Sequence, residues 1–322
     1  MIVRSFKFLA FVIVVLAVGC SPKKNRFLNR EYNAMTSSYN ILYNGELAFQ
    51  EGLNEINEKY VDNYWEVLPI EPLHIDEDLV QVPNWKKKKG KDKKESQTFE
   101  LAEEKAVKAV QKHSMLFKGV ERNRKIDDAF LLLGKSRYYT QRFIPALEAF
   151  NYITKNYPEA SLIDETIVWK AKTNVRLQQE EAAIELLMGL ANKPKISDEI
   201  LEDIYTTQAM AYKQLDTLEA VIESLKKAVE IGKNRNKKSR NLFILGQLFR
   251  EVDQIENSQT AFKRLIDYKK APYKLKLHAE IEMVKNHSKG NATEAVISRL
   301  NKLIKVRENR PYLGELYYQL AL

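Results

Sequence analysis

The stretch Asp127–Pro158 constrains the fold of this chain more than any other. It contains two amphipathic segments, Ala129–Thr140 and Ile144–Lys155, which a short polar turn separates. Apolar residues recur in both at helical spacing, so the pattern predicts two helices that bury one face against each other. Pro158 predicts the end of the unit, because proline cannot donate the next helical hydrogen bond. One such pair cannot bury its outer apolar face, so we expect further copies along the chain.

Small residues recur where two helices would have to approach closely. Gly134, Ala171, Ala209 and Gly246 follow one another at intervals of 37, 38 and 37 residues. This pattern resembles the tetratricopeptide repeat, a helix–turn–helix unit of about 34 residues. It predicts an all-α fold, a right-handed superhelical tetratricopeptide α-solenoid preceded by an irregular N-terminal segment. The residues predicted to pack the repeats are Phe130, Leu133, Gly134, Ala146, Phe150, Pro158, Ala209, Tyr212, Gly246, Phe249 and Phe262.

The pattern continues more loosely toward the C-terminus. A fifth unit is predicted over His278–Val306, and a sixth begins at Pro311 and reaches only Leu322. A solenoid normally ends in a capping helix with a polar outer face. We therefore expect the array, predicted over residues 98–322, to be truncated in its last repeat.

Composition and charge exclude several classes of function. The formal net charge is +9, but the run Lys86–Lys94 together with Arg4 and Lys7 carries nearly all of it, so no basic stripe for nucleic acid is expected. A single cysteine excludes an internal disulfide and a cysteine-based metal site. The sequence has no phosphate-binding glycine loop, nucleophile elbow or zinc signature. We expect no catalytic residue, no metal and no cofactor, and we interpret His278 as a packing or surface residue.

Residues 1–19 have the organisation of an export signal. Arg4 and Lys7 precede the apolar run Phe8–Val18, which is too short to span a bilayer comfortably. Gly19 and Cys20 follow directly, as in a bacterial lipobox, although Ala17 stands where leucine is usual. The pattern predicts that Cys20 is acylated and anchors the chain; a plain cleaved signal is the alternative. Ser21 and the basic residues after it favour the periplasmic face of an outer membrane.

Residues 20–97 are predicted as a separate, less regular region. Helices are predicted over Glu31–Tyr43 and Glu46–Lys59, with a break at Asn44-Gly45. Tyr60–Ile70 is predicted to be extended, and the lysine run Lys86–Lys94 lies in a predicted disordered loop. That run is interpreted as a solvated loop; contact with anionic headgroups or an acidic partner is the alternative. A further helix is predicted over Phe99–Phe117.

Two short sequences within this region carry a family resemblance. They are Tyr32–Gly45 (YNAMTSSYNILYNG) and Asp62–Ile70 (DNYWEVLPI), close behind the lipobox. Together they resemble the N-terminal part of the tetratricopeptide lipoproteins of gliding motility and type IX secretion, the SprE/PorW type. The resemblance implies a non-enzymatic protein at the periplasmic face of the outer membrane, linking the motor complex to the export channel. Only Cys20 maps onto a defined functional position of that family.

The expected function is therefore a lipid-anchored scaffold that binds protein partners of the secretion and motility machinery, without nucleic acid or a small-molecule substrate. Two alternatives stay open. The repeats could belong to an adaptor that positions peptidoglycan or one of its enzymes, or to the N-terminal scaffold of an enzyme whose catalytic domain lies elsewhere. Continued repeats in a longer reading frame would favour the first hypothesis, and a downstream hydrolase motif would favour the others.

Overall fold

A computed structural model of the chain describes residues 21–73, 93–287 and 293–321. Cys20, His74 and most of the lysine run lie outside the described residues. In chain order the elements are α1 (Phe27–Thr36), a π-helical turn (Ser37–Leu42), α2 (Tyr43–Lys59), α3 (Lys93–His113), β1 (Leu116–Phe117), β2 (Val120–Glu121), α4 (Ile126–Tyr139), α5 (Phe143–Asn156), α6 (Ile163–Arg176), α7 (Glu180–Ala191), α8 (Asp198–Gln214), α9 (Leu218–Ile231), α10 (Arg235–Glu251), α11 (Ile255–Asp267), α12 (Tyr273–His287), α13 (Thr293–Lys305), a 3₁₀ turn (Arg307–Tyr312) and α14 (Leu313–Ala321).

The all-α tetratricopeptide fold predicted from the sequence is confirmed. Within the first unit α4 packs against α5 and α5 against α6, and within the second unit α8, α9, α10, α11 and α12 pack in succession, each through the apolar side of an amphipathic helix. The only strands among the described residues are β1 and β2, which form a two-residue antiparallel hairpin with Lys118-Gly119 at its tip.

The chain divides into two compact units. One contains the residues up to Tyr60 together with Leu73–Ala182, and the other contains Val61–Pro72 together with Ala183–Leu322. In the first unit, Phe49 of α2 packs edge-on against Phe99 of α3, and this core continues into α4. In the second unit, Phe243 of α10 packs edge-on against Phe262 of α11, and an apolar cluster joins α12, α13 and α14. Val61–Pro72 therefore belongs structurally with repeats that follow it by more than a hundred residues.

The predicted break at Asn44-Gly45 is wrong. Helical backbone runs from Phe27 to Lys59, and the only irregularity is the π-helical turn at Ser37–Leu42. Gly45 is buried inside α2, where a β-carbon would lie 2.8 Å from Cδ2 of Leu132 and 3.0 Å from Cβ of Lys105. The glycine thus permits a close helix contact and does not end the helix.

The helix predicted over Phe99–Phe117 differs from α3 of the structure at both ends. The structure begins α3 earlier, at Lys93, so Lys93 and Lys94 are helical and do not belong to a loop. The helix ends at His113, and Leu116 and Phe117 enter the β-hairpin. Glu121 stabilises this exit, because its Oε1 accepts hydrogen bonds from the backbone N–H groups of Met115 and Asn123 at 2.6 and 2.8 Å.

Part of the first family-like sequence forms a buried polar network. Asn33 and Ser37 are almost fully buried, and the Ser37 hydroxyl donates to the carbonyl oxygen of Asn33 at 2.5 Å. The amide of Asn123 donates to the Ser37 hydroxyl oxygen and to the carbonyl oxygen of His113. His113 Nδ1 lies 2.8 Å from Oδ1 of Asn33. These side chains attach α1 to the end of α3, because a buried polar group is stable only when it is hydrogen-bonded.

The hairpin turns of four successive repeats share one backbone conformation. Each contains one residue at positive φ, between 56° and 58°, although none of the four is glycine: Gln141, Gln178, Asp216 and Asp253. The N–H of the next residue bonds five residues back, as in Gln179 to the Asn174 carbonyl at 2.9 Å. This is the Schellman ending of a helix, a position at which glycine is usual. The turns recur with the same spacing as the predicted small residues.

Replacing the exposed Gln178 with glycine is expected to stabilise the protein. The left-handed conformation is unfavourable for a residue with a β-carbon by about 1 kcal/mol, and glycine removes that penalty. Because glycine also makes the unfolded chain more flexible, we expect a net gain of about 0.5 kcal/mol in the free energy of unfolding. Chemical denaturation measures it. Gln179→Gly is the matched control, since Gln179 is not at positive φ; an equal gain there would contradict the explanation.

Candidate protein-binding site

The segment Val61–Pro72, called the strap from here on, contains no helix or strand. It lies within the second unit along the first helices of three successive hairpins, α10, α12 and α14. The residues that contact it are called the strap-binding face: Arg240, Phe243, Gln247, Lys274, His278, Lys285 and Tyr318. The extended conformation predicted for Tyr60–Ile70 holds only in part: the segment is not helical, but its backbone turns at Asn63–Glu66, where the N–H of Glu66 bonds to the carbonyl oxygen of Asn63 at 3.3 Å and the Asn63 side chain accepts from the N–H of Trp65 at 3.1 Å.

A buried ion pair fixes one end of the strap. The guanidinium of Arg240 donates to both carboxylate oxygens of Asp62, from Nη2 to Oδ1 at 2.7 Å and from Nη1 to Oδ2 at 3.2 Å. Its Nε donates to the carbonyl oxygen of Pro69 at 2.8 Å. The side chains of Arg240 and Asp62 are only 11% and 14% exposed. One arginine therefore contacts the strap at Asp62 and again at Pro69, so the strap folds back between these two positions. Its two-pronged geometry toward the carboxylate favours arginine over lysine.

A side-chain amide holds the middle of the strap by its main chain. Gln247 Nε2 donates to the carbonyl oxygen of Glu66 at 2.8 Å, and its Oε1 accepts from the N–H of Leu68 at 3.0 Å. Arg240, Phe243 and Gln247 fall on one side of α10, since they are spaced three and four residues apart. These contacts recognise extended backbone irrespective of the side chains it carries.

Aromatic and aliphatic side chains complete the contact. The Tyr64 ring stacks on His278 with centroids 3.4 Å apart and meets Phe243 edge-on at 5.4 Å. Leu68 is fully buried and Ile70 nearly so. Trp65 lies toward the surface, 57% exposed, against Tyr318 and beneath the ammonium group of Lys285. The strap-binding face thus combines apolar contacts in its interior with cationic groups along its edge.

His278 is held neutral in this environment. Its side chain is almost completely buried, and Nδ1 lies 3.3 Å from Oε2 of Glu315, so Nδ1 is the ring nitrogen that faces an acceptor. Nε2 is buried and has no hydrogen-bond partner among the described residues. Burial, with Lys274 and Lys285 nearby, lowers the pKa of His278 to about 4, against the opposing effect of Asp62. Burial also raises the pKa of Glu315.

Stability is expected to fall as the pH falls from 6.5 toward 4. The unfolded chain protonates the histidine near pH 6.5 whereas the folded protein does not until about pH 4, so the unfolded state gains protons first. The loss from this residue between pH 7 and 4.5 is on the order of 2 kcal/mol. Glu315 acts in the opposite direction, because its raised pKa favours protonation in the folded state.

Urea denaturation of the wild type and of His278→Phe at the two pH values tests this expectation. Phenylalanine retains an aromatic ring against Tyr64 but does not titrate, and Glu315 is present in both proteins. The variant should therefore lose less stability than the wild type on acidification. An identical pH dependence in both would show that His278 is not responsible.

The strap and its face interact through hydrogen bonds, one ion pair and ring contacts. The described residues contain no group of three or more histidine, cysteine, aspartate or glutamate side chains that could hold a metal ion. None of the described helices is long and apolar enough to cross a membrane. The strap-binding face offers hydrogen bonds to backbone, a carboxylate-binding arginine and aromatic surfaces.

The residues predicted to pack the repeats lie in several environments. Phe130 and Leu133 of α4 are half-buried and buried, and Phe150 of α5 is fully buried against Gly134. Ala146 and Ala209 are fully buried, and Phe262 packs against Gly246 in the same way as Phe150 against Gly134. Tyr212 and Phe249 are half-buried, and Pro158 is exposed just beyond the end of α5. None of these residues is among those that contact the strap.

The residues of the strap-binding face were missed by sequence reasoning. Arg240 and Gln247 look like ordinary polar residues of an amphipathic helix, and the sequence alone marks His278 only as a packing or surface residue. The sequence did contain one signal. Gln247 comes immediately after the small packing residue Gly246, in a part of α10 where a polar side chain would be buried. The sequence could not show that Asp62 and Tyr64 would reach these positions.

A second exposed feature lies on α1 and the start of α2 in the first unit. Apolar side chains spaced three or four residues apart remain largely exposed along this helix. They are Leu28, Tyr32, Met35, Tyr39, Tyr43 and Leu47. Exposed apolar stripes of this kind mark contacts with a protein or a membrane surface.

Comparisons with known proteins agree with the repeat assignment. The sequence profile of the tetratricopeptide repeat matches residues 202–234, which cover most of α8 and all of α9. This is the third repeat predicted from the spacing of Ala209 and its neighbours. No curated protein matches the chain.

Solved structures show weak overall similarity. A thermophilic tetratricopeptide protein of Thermus thermophilus is 17% identical, over 61% of this chain and all of its own, with a TM-score of 0.37. The TPR2AB domain of yeast Sti1, solved in complex with an Hsp90 peptide, is 12% identical over 70% of this chain and 93% of its own, with a TM-score of 0.29. Likeness at this level says nothing about the partners of this chain.

Proposed function

We propose that this chain is a lipid-anchored scaffold that binds protein components of the type IX secretion and gliding motility machinery at the periplasmic face of the outer membrane. The observation that carries the proposal is the place of the two family-like sequences in the fold. Asn33 and Ser37 of the first form the buried network of the first unit, and Asp62–Ile70 lies within the strap. A coherent structural role for both sequences supports reading them together as a family signature.

The fold supports a binding role without catalysis. Tetratricopeptide repeats present the surfaces of stacked helices to other proteins. The strap-binding face already holds a non-helical segment through main-chain hydrogen bonds, an ion pair and ring stacking. A scaffold between an envelope motor and an export channel requires surfaces of this kind and no reactive group.

The membrane attachment proposed at Cys20 is supported by the region that follows it. The exposed apolar stripe of α1 begins eight residues beyond Cys20, and Lys23, Lys24, Arg26 and Arg30 lie at the same end. Tyrosine-rich surfaces with flanking cations suit the interface between lipid headgroups and acyl chains. Such a surface would keep the first unit close to the bilayer that holds the anchor.

Gene deletion with two complementing alleles tests the proposal. The deletion strain should fail to export type IX substrates and to glide, and the wild-type gene should restore both. Cys20→Ala should restore neither, and its product should leave the outer-membrane fraction. Normal secretion in the deletion strain would refute the proposed system, and outer-membrane retention of the Cys20→Ala product would refute the anchor alone.

A further inference from the structure

We propose that the strap-binding face is a recognition site for a short non-helical segment of a partner protein, and that the strap is its internal occupant, which the partner segment displaces. The inference rests on the proposed function only in taking the chain to be a protein-binding scaffold. The partner segment has the chemistry of the strap: a carboxylate, an aromatic residue two positions later, a turn, and aliphatic residues after it. The strap would thus keep the face covered until such a partner arrives.

The contacts of the strap are those of a bound peptide more than those of a core element. The strap itself contains no strand, and two helical side chains, Gln247 and Arg240, hydrogen-bond to its main chain. Gln247 bonds to the backbone of Glu66 and Leu68, so it would hold the main chain of another segment at the same two positions. Side-chain recognition is left to Arg240, His278 and Phe243.

Charge and aromatic character define which segments fit. Arg240 is mostly buried and binds the Asp62 carboxylate through two hydrogen bonds. A partner without an acidic residue at that position would therefore leave a buried cation without its carboxylate. Lys274 and Lys285 lie 5.4 and 4.9 Å from the ring centres of Tyr64 and Trp65, where cations favour aromatic rings. An acidic, aromatic segment therefore fits this face, whereas a basic one does not.

The strap also offers a place where displacement can begin. Trp65 and Tyr318 pack edge-on at the surface, and both side chains are more than half exposed. A partner aromatic residue can replace Trp65 there while Asp62 and Leu68 are still bound. Exchange can then proceed along the face one contact at a time, without exposing the whole strap-binding face to water at once.

The test uses a fluorescent synthetic peptide with the sequence of residues 60–72 and the full chain purified in detergent. A tethered strap competes at an effective concentration of the order of millimolar, so the wild type should bind the peptide weakly. Asp62→Asn combined with Trp65→Ala weakens the strap and leaves the face intact. Fluorescence anisotropy should then show binding at least tenfold tighter, since apparent affinity rises with the fraction of open face.

Two controls make the result specific. Adding Gln247→Ala to the weakened strap should abolish the gain, because that change removes the main-chain contacts of the face. A peptide carrying Asp62→Asn should bind the weakened variant at least fivefold less tightly, because it lacks the carboxylate for Arg240. If the double variant has lost helical circular dichroism, Trp65→Ala alone replaces it; this exposed side chain can be removed with little effect on folding, and a smaller gain is expected.

Three results would overturn the inference. They are absence of peptide binding to a folded, strap-weakened variant, an equal gain when Gln247 is also replaced, and dimerisation of the weakened variant by light scattering, which would mean that straps exchange between copies. Each of these results concerns binding in vitro and has no bearing on the secretion phenotype. Failure of this inference is thereby separable from failure of the proposed function.

Discussion

Substituting tryptophan for Gly134 is expected to lower the free energy of unfolding by at least about 3 kcal/mol. Gly134 lies in α4 against the ring of the fully buried Phe150, and a β-carbon alone would already overlap that ring. Gly246 repeats the arrangement, since its β-carbon would lie 2.5 Å from Cε1 of Phe262. Interiors packed as densely as this one cannot accept an indole without separating the two helices. Gly246→Trp should therefore have a similar effect in the second unit.

Gly189 provides the matched control for both substitutions. It is also a helical glycine, but it is exposed and no described atom lies within 4 Å of the position its β-carbon would take. Gly189→Trp should change the stability by less than about 1 kcal/mol, and Gly189→Ala should raise it slightly because alanine favours helix. Thermal and chemical denaturation of the variants measure the difference. Equal losses at Gly134 and Gly189 would contradict the close approach of α4 and α5.

Arg240→Ala is expected to destabilise the second unit by about 3 kcal/mol. The substitution leaves the carboxylate of Asp62 largely buried without its cation and removes the donor to the Pro69 carbonyl. Removing one partner of a buried ion pair is strongly destabilising, because the remaining charge stays away from water. Arg240→Lys should give a smaller loss, since a lysine ammonium cannot reproduce the three hydrogen bonds in their present geometry.

The surface ion pair between Arg264 and Glu230 is the control for this prediction. Its atoms are 2.8 Å apart, but both side chains are about half exposed or more. Arg264→Ala should lower the stability by less than about 1 kcal/mol, because solvent screens exposed pairs. A double-mutant cycle with Asp62→Asn then isolates the interaction between Arg240 and Asp62. Equal effects of the two alanine substitutions would argue against a buried pair.

The repeat architecture was predictable because it is local. The spacing of Gly134, Ala171, Ala209 and Gly246 reflects contacts between helices that are neighbours in the chain, so a short window of sequence contains both partners. The hairpin turns were predictable in position but not in conformation. The residues Gln178 and Asp216 do not indicate a left-handed backbone conformation, because glycine is the residue usually found at that position.

The N-terminal helix was predicted wrongly for a related reason. Asn44-Gly45 is a typical turn signal, and a local interpretation favours a break. In the structure, Gly45 faces Leu132, and this contact with a residue far along the chain outweighs the intrinsic weakness of glycine in a helix. Sequence reasoning fails here because the residue that explains the glycine is not nearby in sequence.

The strap-binding face was the least predictable feature. Asp62 and Arg240 are separated by 178 residues, and neither stands out among the many charged residues of the chain. The absence of a helix in the strap was predictable from its aromatic and proline content, but its turn at Asn63–Glu66 was not. Its docking position depends on the relative placement of three helices, which a single sequence does not specify.

The strap also dictates an order of folding. Its partners range from Arg240 to Tyr318, so the face on which it docks does not exist until the last of these helices has been synthesised and folded. Closing a loop of nearly 180 residues is slow and entropically unfavourable. The contacts of the strap can offset this loss of entropy only after the repeats have folded. Between synthesis and docking, the strap and its face are both exposed. During that interval the nascent protein is most open to its partner and also most vulnerable to aggregation.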